Sequence, residues 1–232
     1  MISFERVTKR YGERLALDDV TWKMDEGECV VVLGHSAAGK TTLLRLITHE
    51  TQPTSGVVTV GTFRGARMTR SHRALLRRTI GVIYEDFRLL PDRTVFENVA
   101  LALHIAGHFV DGEVVPKVRR ALVEVGLETH RDLLPAELSF GERQRCAIAR
   151  AIVTRQALIL ADEPTGALEP RSAAEVLSLL LRIHREGAAL LLGTTRAEVA
   201  KVIGGRHYLL EDGKMHETTP DGAAVPSAAR RA

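Results

Sequence analysis

Residues 30–42 read Val30-Val31-Val32-Leu33-Gly34-His35-Ser36-Ala37-Ala38-Gly39-Lys40-Thr41-Thr42. The apolar run predicts a buried strand, and the leucines and isoleucine that follow Thr42 at helical spacing predict a helix. Between them, the spacing G-x-x-x-x-G-K-T is that of a loop whose backbone N–H groups face phosphate oxygens at a helix N-terminus. We therefore expect residues 34–42 to bind a nucleotide, with Lys40 reaching the β- and γ-phosphates and Thr41 holding Mg²⁺.

The composition bounds the class of protein. The chain has 232 residues and is 45% hydrophobic, which suits one α/β domain with a modest insertion and argues against disorder. No uninterrupted apolar stretch approaches the roughly 18 residues of a membrane span, and Glu5 and Arg6 interrupt the N-terminal region where a signal peptide has its apolar core. Cys29 and Cys146 lack the spacing of a metal or redox pair. We expect a cytoplasmic protein with buried thiols.

The formal net charge of +3 is mildly basic and raises the possibility of a nucleic-acid partner or of contact with the anionic inner surface of the membrane. The basic residues are scattered along the chain, and only residues 64–78 concentrate them. No aromatic residues are interleaved there after Phe63, so a solvated helix face is the preferred interpretation and no nucleic-acid partner is expected.

Two S/T-x-x-E patterns predict capped helix starts. Thr94 and Glu97 begin the first, and Ser139 and Glu142 begin the second. A further helix is predicted at 114–125. Because helices then follow one another without an intervening strand, we expect a helical subdomain inserted at about 92–155.

A second apolar strand, at 158–161, runs directly into Asp162 and Glu163. In nucleotide-hydrolysing sites, the first carboxylate of such a pair can hold Mg²⁺ and the second can polarise the attacking water. A helix from about Arg171, a strand at 188–192, and a hairpin turning at Asp212 and Gly213 are expected to complete the fold.

The order of these motifs along nearly the whole chain resembles the ATP-binding subunits of ABC transporters. The resemblance implies an α/β fold that combines a RecA-like core, an N-terminal antiparallel β subdomain and the helical insertion. It assigns residues 1–217 to the ATP-binding domain and leaves 218–232 as a tail expected to be disordered.

Within that family, four stretches resemble the FtsE branch, whose members work with the membrane protein FtsX in cell division. They are Gly34-His35-Ser36 of the P-loop, Glu85-Asp86-Phe87-Arg88-Leu89-Leu90, Asp92-Arg93-Thr94-Val95 and Ala161-Asp162-Glu163-Pro164-Thr165-Gly166. Lipoprotein-release and macrolide-export ATPases share the last stretch and remain the alternatives, together with a clamp that binds ATP without useful turnover. A soluble ABC protein acting on ribosomes or DNA would bring a second nucleotide domain or a coiled-coil insertion, and neither is expected here.

The resemblance also implies roles for single residues. Tyr11 would stack on adenine, Asp162 would support Mg²⁺ and Glu163 would be the catalytic base. A second copy of the chain would complete an ATP sandwich, in which the γ-phosphate meets the signature residues Ser139, Phe140, Gly141 and Glu142. An FtsX-like integral membrane protein would be gripped by residues 85–90 and the helical insertion, which places the chain at the inner face of the membrane.

Four positions depart from the family pattern. Glu85 stands at the Q-loop glutamine that contacts Mg²⁺ and water, and Thr195 stands at the switch histidine. Phe140 replaces the first glycine of the signature, and Glu169 replaces the aspartate of the D-loop. Because Glu85 and Thr195 occupy positions of transition-state groups, whose removal commonly costs about 10² to 10³ in rate, we expect ATP binding with slow or partner-dependent hydrolysis. Neighbouring residues such as Arg196 are an alternative source of the missing groups.

Overall fold

The computed structural model describes residues 1–65 and 68–223. The chain divides into two compact units, which we call the P-loop unit, Met1–Arg77 with Ala189–Ala232, and the helical unit, Arg78–Ala188. In chain order the elements are β1 (Ile2–Tyr11), β2 (Arg14–Met24), β3 (Cys29–Leu33), α1 (Lys40–Ile47), β4 (Ser55–Val60), β5 (Phe63–Arg64), α2 (Arg70–Arg78), β6 (Ile80–Ile83), α3 (Val95–Ala106), α4 (Asp111–Glu124), α5 (Phe140–Ile152), β7 (Leu158–Asp162), α6 (Pro170–Arg185), β8 (Ala189–Thr194), α7 (Ala197–Ile203), β9 (Arg206–Glu211) and β10 (Lys214–Thr218).

An antiparallel sheet forms one layer of the P-loop unit, with the strand order β2-β1-β4-β5. β1 and β2 pair in a hairpin from Ile2 opposite Met24 to Tyr11 opposite Arg14. Apolar residues alternate along β1 and β2, and their inward face packs Trp22 edge-on against Phe4 at 5.8 Å between ring centroids. The predicted N-terminal antiparallel β subdomain is therefore present.

The parallel strands of the P-loop unit hold its core. β3 lies between β8 and β9 and pairs with both in parallel, and β10 returns antiparallel to β9 after a turn at 212–213, as predicted. All five residues of β3 are buried, as expected for a strand covered on both faces. The carboxyl ends of β3 and β8 coincide, because Leu33 pairs with Thr194. The loop at 34–39 therefore begins beside the end of β8.

In the helical unit, β6 and β7 pair in parallel, with Ile83 opposite Ala161. Between them in sequence come α3, α4 and α5, which pack on one another, and short 3₁₀ turns at Glu128–His130 and Pro135–Glu137. The Thr94 and Ser139 capping boxes are both confirmed. Because β6 and β7 are parallel and in register, Glu85 and Asp162 lie at the same end of the strand pair.

The tail differs from the expectation at its beginning. Thr218 is buried as the last residue of β10, and its hydroxyl donates to the carbonyl of Ala223 at 2.7 Å. Residues 218–223 thus have defined structure, since a strand end and a turn satisfy their polar groups, whereas the rest of the expected tail, 224–232, lies outside the described residues. None of the helices in the described ranges is both long and apolar enough to cross a membrane.

Candidate active site

The P-loop, residues 34–39, is fixed by close backbone approaches inside its own unit. A Cβ atom at Gly34 would lie 2.5 Å from the carbonyl oxygen of Leu210, and one at Gly39 would lie 2.4 Å from that of Ala16. Gly39 also has a φ of 116°, a conformation that only glycine adopts without strain. The two glycines of the sequence pattern are therefore required by the fold itself.

The N-terminus of the helix that follows the P-loop is suited to bind an anion. α1 begins at Lys40, directly after Gly39, and no side chain caps its first turn, which also lacks acidic residues. Uncapped N–H groups and the positive end of the helix dipole favour phosphate oxygens. The buried Lys40 Nζ donates to the carbonyl oxygens of Gly34, at 2.8 Å, and His35, at 3.1 Å, so the ammonium group lies within the loop.

The other residues of the loop differ in their exposure. Ala38 is buried and its N–H donates to the His35 carbonyl at 3.1 Å, which closes the turn. The remaining side chains of the motif reach solvent to different extents. His35, Ser36, Ala37 and Thr41 are exposed, and Thr42 is half-buried. Thr41, in the first turn of α1, is thus exposed to solvent.

Tyr11 lies on the β1–β2 hairpin and is 43% exposed, with the Lys9 ammonium 4.8 Å from its ring centroid. The hairpin reaches the P-loop through Arg14, which pairs with Tyr11 across the two strands and donates to the carbonyl oxygen of Ala37. The structure therefore brings Tyr11 near the P-loop. Arg14 was not foreseen, because one arginine in a turn carries no spacing signal.

Thr195 follows β8 beside the start of the P-loop. The Gly34 N–H donates to the carbonyl of Thr194 at 3.3 Å, and the Thr194 hydroxyl accepts from the Arg196 N–H at 3.1 Å. Thr194 is buried, whereas the Thr195 side chain is exposed. The residue at the predicted switch position is thus presented next to the P-loop but carries a hydroxyl in place of an imidazole.

In the helical unit, the acidic residues at the carboxyl ends of β6 and β7 gather around Gly166. Asp162 is buried, and Glu163 has a φ of 44°, a left-handed conformation that is uncommon for a residue with a side chain. A Cβ atom at Gly166 would lie 3.5 Å from the Glu163 Cβ and 3.9 Å from the Glu85 Oε1. The structure therefore brings Glu85 and Glu163 to the same short turn, and oxygen donors of this kind suit Mg²⁺.

The signature residues form a tightly capped helix start. The Glu142 carboxylate accepts from the Ser139 N–H at 2.8 Å and the Ser139 hydroxyl at 2.7 Å, and the Ser139 hydroxyl, followed by the backbone N–H, lowers the pKa of Glu142. A Cβ atom at Gly141 would lie 2.9 Å from the Ser172 hydroxyl, so a side chain there would crowd Ser172 of α6.

Two further positions that depart from the family pattern lie near this helix start. Phe140 is 56% exposed. Glu169 is the N-cap residue of α6, and its side chain makes no capping hydrogen bond.

Arg150 is a contributor that the sequence did not reveal. From α5, its guanidinium donates to the carbonyl oxygens of Phe87, at 2.6 Å, and Arg88, at 2.5 Å. These residues follow Glu85 and carry left-handed backbone angles. Their partner lies far away in sequence, so no local spacing could have identified it.

Comparison with known proteins agrees with this arrangement. The ABC transporter family model matches residues 17–166. The cell division ATP-binding protein FtsE of Mycobacterium tuberculosis is 46% identical over 84% of this chain and 85% of its own length, and FtsE of Escherichia coli K12 is 41% identical over 93% and 97%. The methionine import protein MetN of Xanthomonas campestris is 40% identical over 95% of this chain and 67% of its own.

Solved structures give the same result. The dimeric structure of MJ0796, a bacterial ABC transporter cassette, matches with a TM-score of 0.87 and 33% identity, covering 95% of this chain and 99% of that one. A post-hydrolysis state of the same cassette, bound to ADP and Pi, matches equally well, with a TM-score of 0.87 at 32% identity. The family match, the relatives and the cassette structures agree with the P-loop, signature and paired carboxylates: the chain belongs to the ABC transporter ATP-binding family and is an ABC ATPase.

Proposed function

We propose that the chain is the ATP-binding subunit of an FtsEX-like complex, which couples ATP binding and hydrolysis to a membrane partner that controls cell-wall hydrolysis in division. The observation that carries this proposal is the similarity to FtsE over nearly the full length of both chains, 93% of this one and 97% of the E. coli protein. MetN is similar over only 67% of its own length, which favours FtsE.

The nucleotide roles in this proposal follow the residues described above. In the P-loop unit, residues 34–42 hold the phosphates, Tyr11 stacks on adenine and Thr41 provides a hydroxyl to Mg²⁺. In the helical unit, Asp162 supports Mg²⁺ and Glu163 orients the attacking water. Bound Mg²⁺ would supply charge neutralisation at the phosphates. Residues 1–217 form the ATP-binding domain in this reading, with 92–155 as the helical insertion.

The partner would dock on the helical unit. A cavity of about 290 Å³ lies between β6, α3 and α5, and its lining combines apolar groups with the basic side chains of Arg88 and Arg150. The apolar lining includes Ile80, Val82, Tyr84, Leu101 and Ile105. A concave surface of this composition suits the apolar face of a short helix from an FtsX-like integral membrane protein. Such docking places the chain as a peripheral protein at the inner face of the membrane.

The membrane partner can be tested by purification from the native membrane. Tagged full-length protein, solubilised with Mg²⁺-ATP, is expected to retain an FtsX-like protein, and phosphate release is expected to rise when the purified partner is added. Lys40→Ala is the matched control that lacks the phosphate-facing cation. Recovery of a lipoprotein-release or macrolide-export permease would overturn the FtsEX assignment. Complex formation without phosphate release would favour the ATP-dependent clamp.

The second copy of the chain can be tested separately. Glu163→Gln removes the proposed water-orienting carboxylate but keeps the groups that bind ATP, so saturating ATP should accumulate a dimer by mass action. Light scattering with and without ATP measures the change. A variant that stays monomeric at saturation contradicts the ATP sandwich.

Slow turnover is the expected consequence of Glu85 and Thr195. Thr195→His supplies an imidazole for the γ-phosphate, and Glu85→Gln removes a negative charge from the vicinity of the phosphates. The double variant is expected to hydrolyse Mg²⁺-ATP about 10-fold faster than the wild type, a small part of what transition-state groups commonly contribute. Turnover is compared at saturating ATP after folding and affinity are checked. A wild type that already matches the double variant would show that other residues perform both roles.

A further inference from the structure

Residues 84–90, which we call the Glu85 loop, hold an unusual backbone. Phe87 has a φ of 58° and Arg88 a φ of 47°, so two consecutive residues with side chains adopt the left-handed conformation. Such residues persist where the surrounding structure over-determines them. Within the loop, Arg88 lies over the Tyr84 ring and pairs with Asp86. Contacts from α5 add to these and help to place Glu85.

One holding contact comes from the C-terminal half of α5. Both terminal nitrogens of Arg150 donate N–H hydrogen bonds to the loop, one to the carbonyl of Phe87 at 2.6 Å and the other to that of Arg88 at 2.5 Å. A guanidinium has a rigid, planar arrangement of donors, so these two bonds fix the orientation of both peptide groups.

The other contact comes from the first turn of α5. The ring of Phe140 meets the ring of Phe87 edge-to-face, with 5.9 Å between centroids and 66° between planes. The Arg143 guanidinium lies 5.3 Å from the Phe140 centroid, and its Nε donates to the carbonyl of Pro135 at 2.8 Å. The Phe140 ring therefore contacts both the Arg143 guanidinium and Phe87 of the Glu85 loop, although 56% of the residue is exposed.

We propose that Phe140 is a positioning residue for Glu85: its contact with Phe87 joins the first turn of the signature helix to the loop that carries Glu85. The proposal rests on the role of Glu85 in the nucleotide site given above. A glycine at position 140 would remove the ring contact with Phe87 and keep the Arg150 hydrogen bonds to the loop. With Phe140, a displacement at the Ser139 end of α5 moves the loop directly, and with it the carboxylate that lies beside Gly166 and Glu163.

Two amides in the Glu85 loop report on this contact, and a third provides a reference. The Phe87 N–H donates to the carbonyl of Tyr84 at 3.2 Å, and the Arg88 N–H donates to that of Asp86 at 2.6 Å. The Leu90 N–H donates instead to the side-chain oxygen of Asn98 in α3, at 2.8 Å. The first two should respond to the loss of the Phe140 ring, and the third serves as an internal control.

The test is residue-resolved hydrogen exchange by NMR on the full chain without nucleotide. In Phe140→Ala, the Phe87 and Arg88 amides should exchange at least about 10-fold faster, while the Leu90 amide stays within about 2-fold, because local opening governs exchange. Phe140→Tyr keeps the ring and should restore wild-type rates. Phe109→Ala is the matched control, since Phe109 is another exposed phenylalanine of the helical unit, 72% exposed and stacked on His104.

Two further measurements separate positioning from a general loss of structure. The side-chain carboxyl ¹³C resonance of Glu85 should shift or broaden in Phe140→Ala and return in Phe140→Tyr. Phe87→Leu should reproduce the faster exchange, and the double variant Phe87→Leu/Phe140→Ala should exchange no faster than the more affected single variant, because both changes break one contact. Unchanged exchange at Phe87 and Arg88 in Phe140→Ala overturns the proposal. These measurements use neither nucleotide nor a partner protein. They would therefore still test the contact between Phe140 and Phe87 if the proposed function were wrong.

Discussion

The P-loop follows β3 in the P-loop unit, and the Glu85 loop follows β6 in the helical unit. The two loops are held in different ways. In the P-loop, glycines are required where the backbone carbonyls of Ala16 and Leu210 approach, and the Lys40 and Arg14 side chains donate to loop carbonyls. In the Glu85 loop, side chains from α5 and α3 hold a backbone that is strained at Phe87 and Arg88. A side chain at Gly34 or Gly39 would collide with backbone, whereas the shape of the Glu85 loop depends on side-chain contacts that a substitution can remove.

The sharpest test of this difference compares the affinity for ATP. Lys40→Ala is expected to weaken Mg²⁺-ATP binding about 100-fold, which corresponds to about 2.7 kcal/mol, because a charge-assisted contact to the phosphates is lost. Glu85→Gln should leave the affinity within a few-fold of the wild type. Calorimetry measures both, with the exposed Lys214→Ala as the control for a removed positive charge. Equal affinities of Lys40→Ala and wild type would refute the role of Lys40.

A second test concerns the backbone approach in the P-loop. Gly39→Ala adds a Cβ atom 2.4 Å from the Ala16 carbonyl at a φ of 116°, and Gly12→Ala adds one at a φ of 57° with no atom within 4 Å. We expect Gly39→Ala to lower the free energy of unfolding by about 3 kcal/mol, through a clash and strain together, and Gly12→Ala by about 1 kcal/mol, through strain alone. Denaturant unfolding measures both.

Similar losses at the two glycines would contradict the role given to the Ala16 carbonyl. In that case positive φ would explain the whole effect, and the P-loop would differ less from the Glu85 loop than we infer. Gly39→Ala should also abolish ATP binding, whereas Gly12→Ala should retain it.

The same contrast explains how far the sequence could be interpreted. Glycine spacing identified the P-loop, and the Thr94 and Ser139 patterns identified two capped helices, because these features depend on residues within a few positions of one another. The similarity of motif order gave the fold. The contacts of Arg150 with the Glu85 loop and of Phe140 with Phe87 join distant parts of the chain, so only the folded structure reveals them.

The smallest expected effect concerns His49, which lies just after α1 in the P-loop unit. It is 2% exposed, and neither ring nitrogen has a hydrogen-bond partner within the described ranges 1–65 and 68–223. Burial lowers the pKa of His49, and the charges of Arg73 and Arg77 lower it further. Arg77 also donates to the carbonyls of Thr48 and His49, both at 3.0 Å. The P-loop unit thus contains a buried histidine whose ring makes no hydrogen bond among the described residues.

Because the folded chain resists protonating His49, the unfolded chain binds more protons below the ordinary histidine pKa of about 6.5. The contribution of His49 to the free energy of unfolding is therefore constant above that pH and falls as the pH decreases toward the lowered pKa. His49→Phe should remove this part of the pH dependence, so that its stability relative to wild type improves between pH 7.5 and pH 5.5. Denaturant unfolding at several pH values measures the difference, with the exposed His216→Phe as control. Parallel pH profiles for His49→Phe and wild type would show that His49 is protonated in the folded chain without a loss of stability. Its buried surroundings would then accept the positive charge.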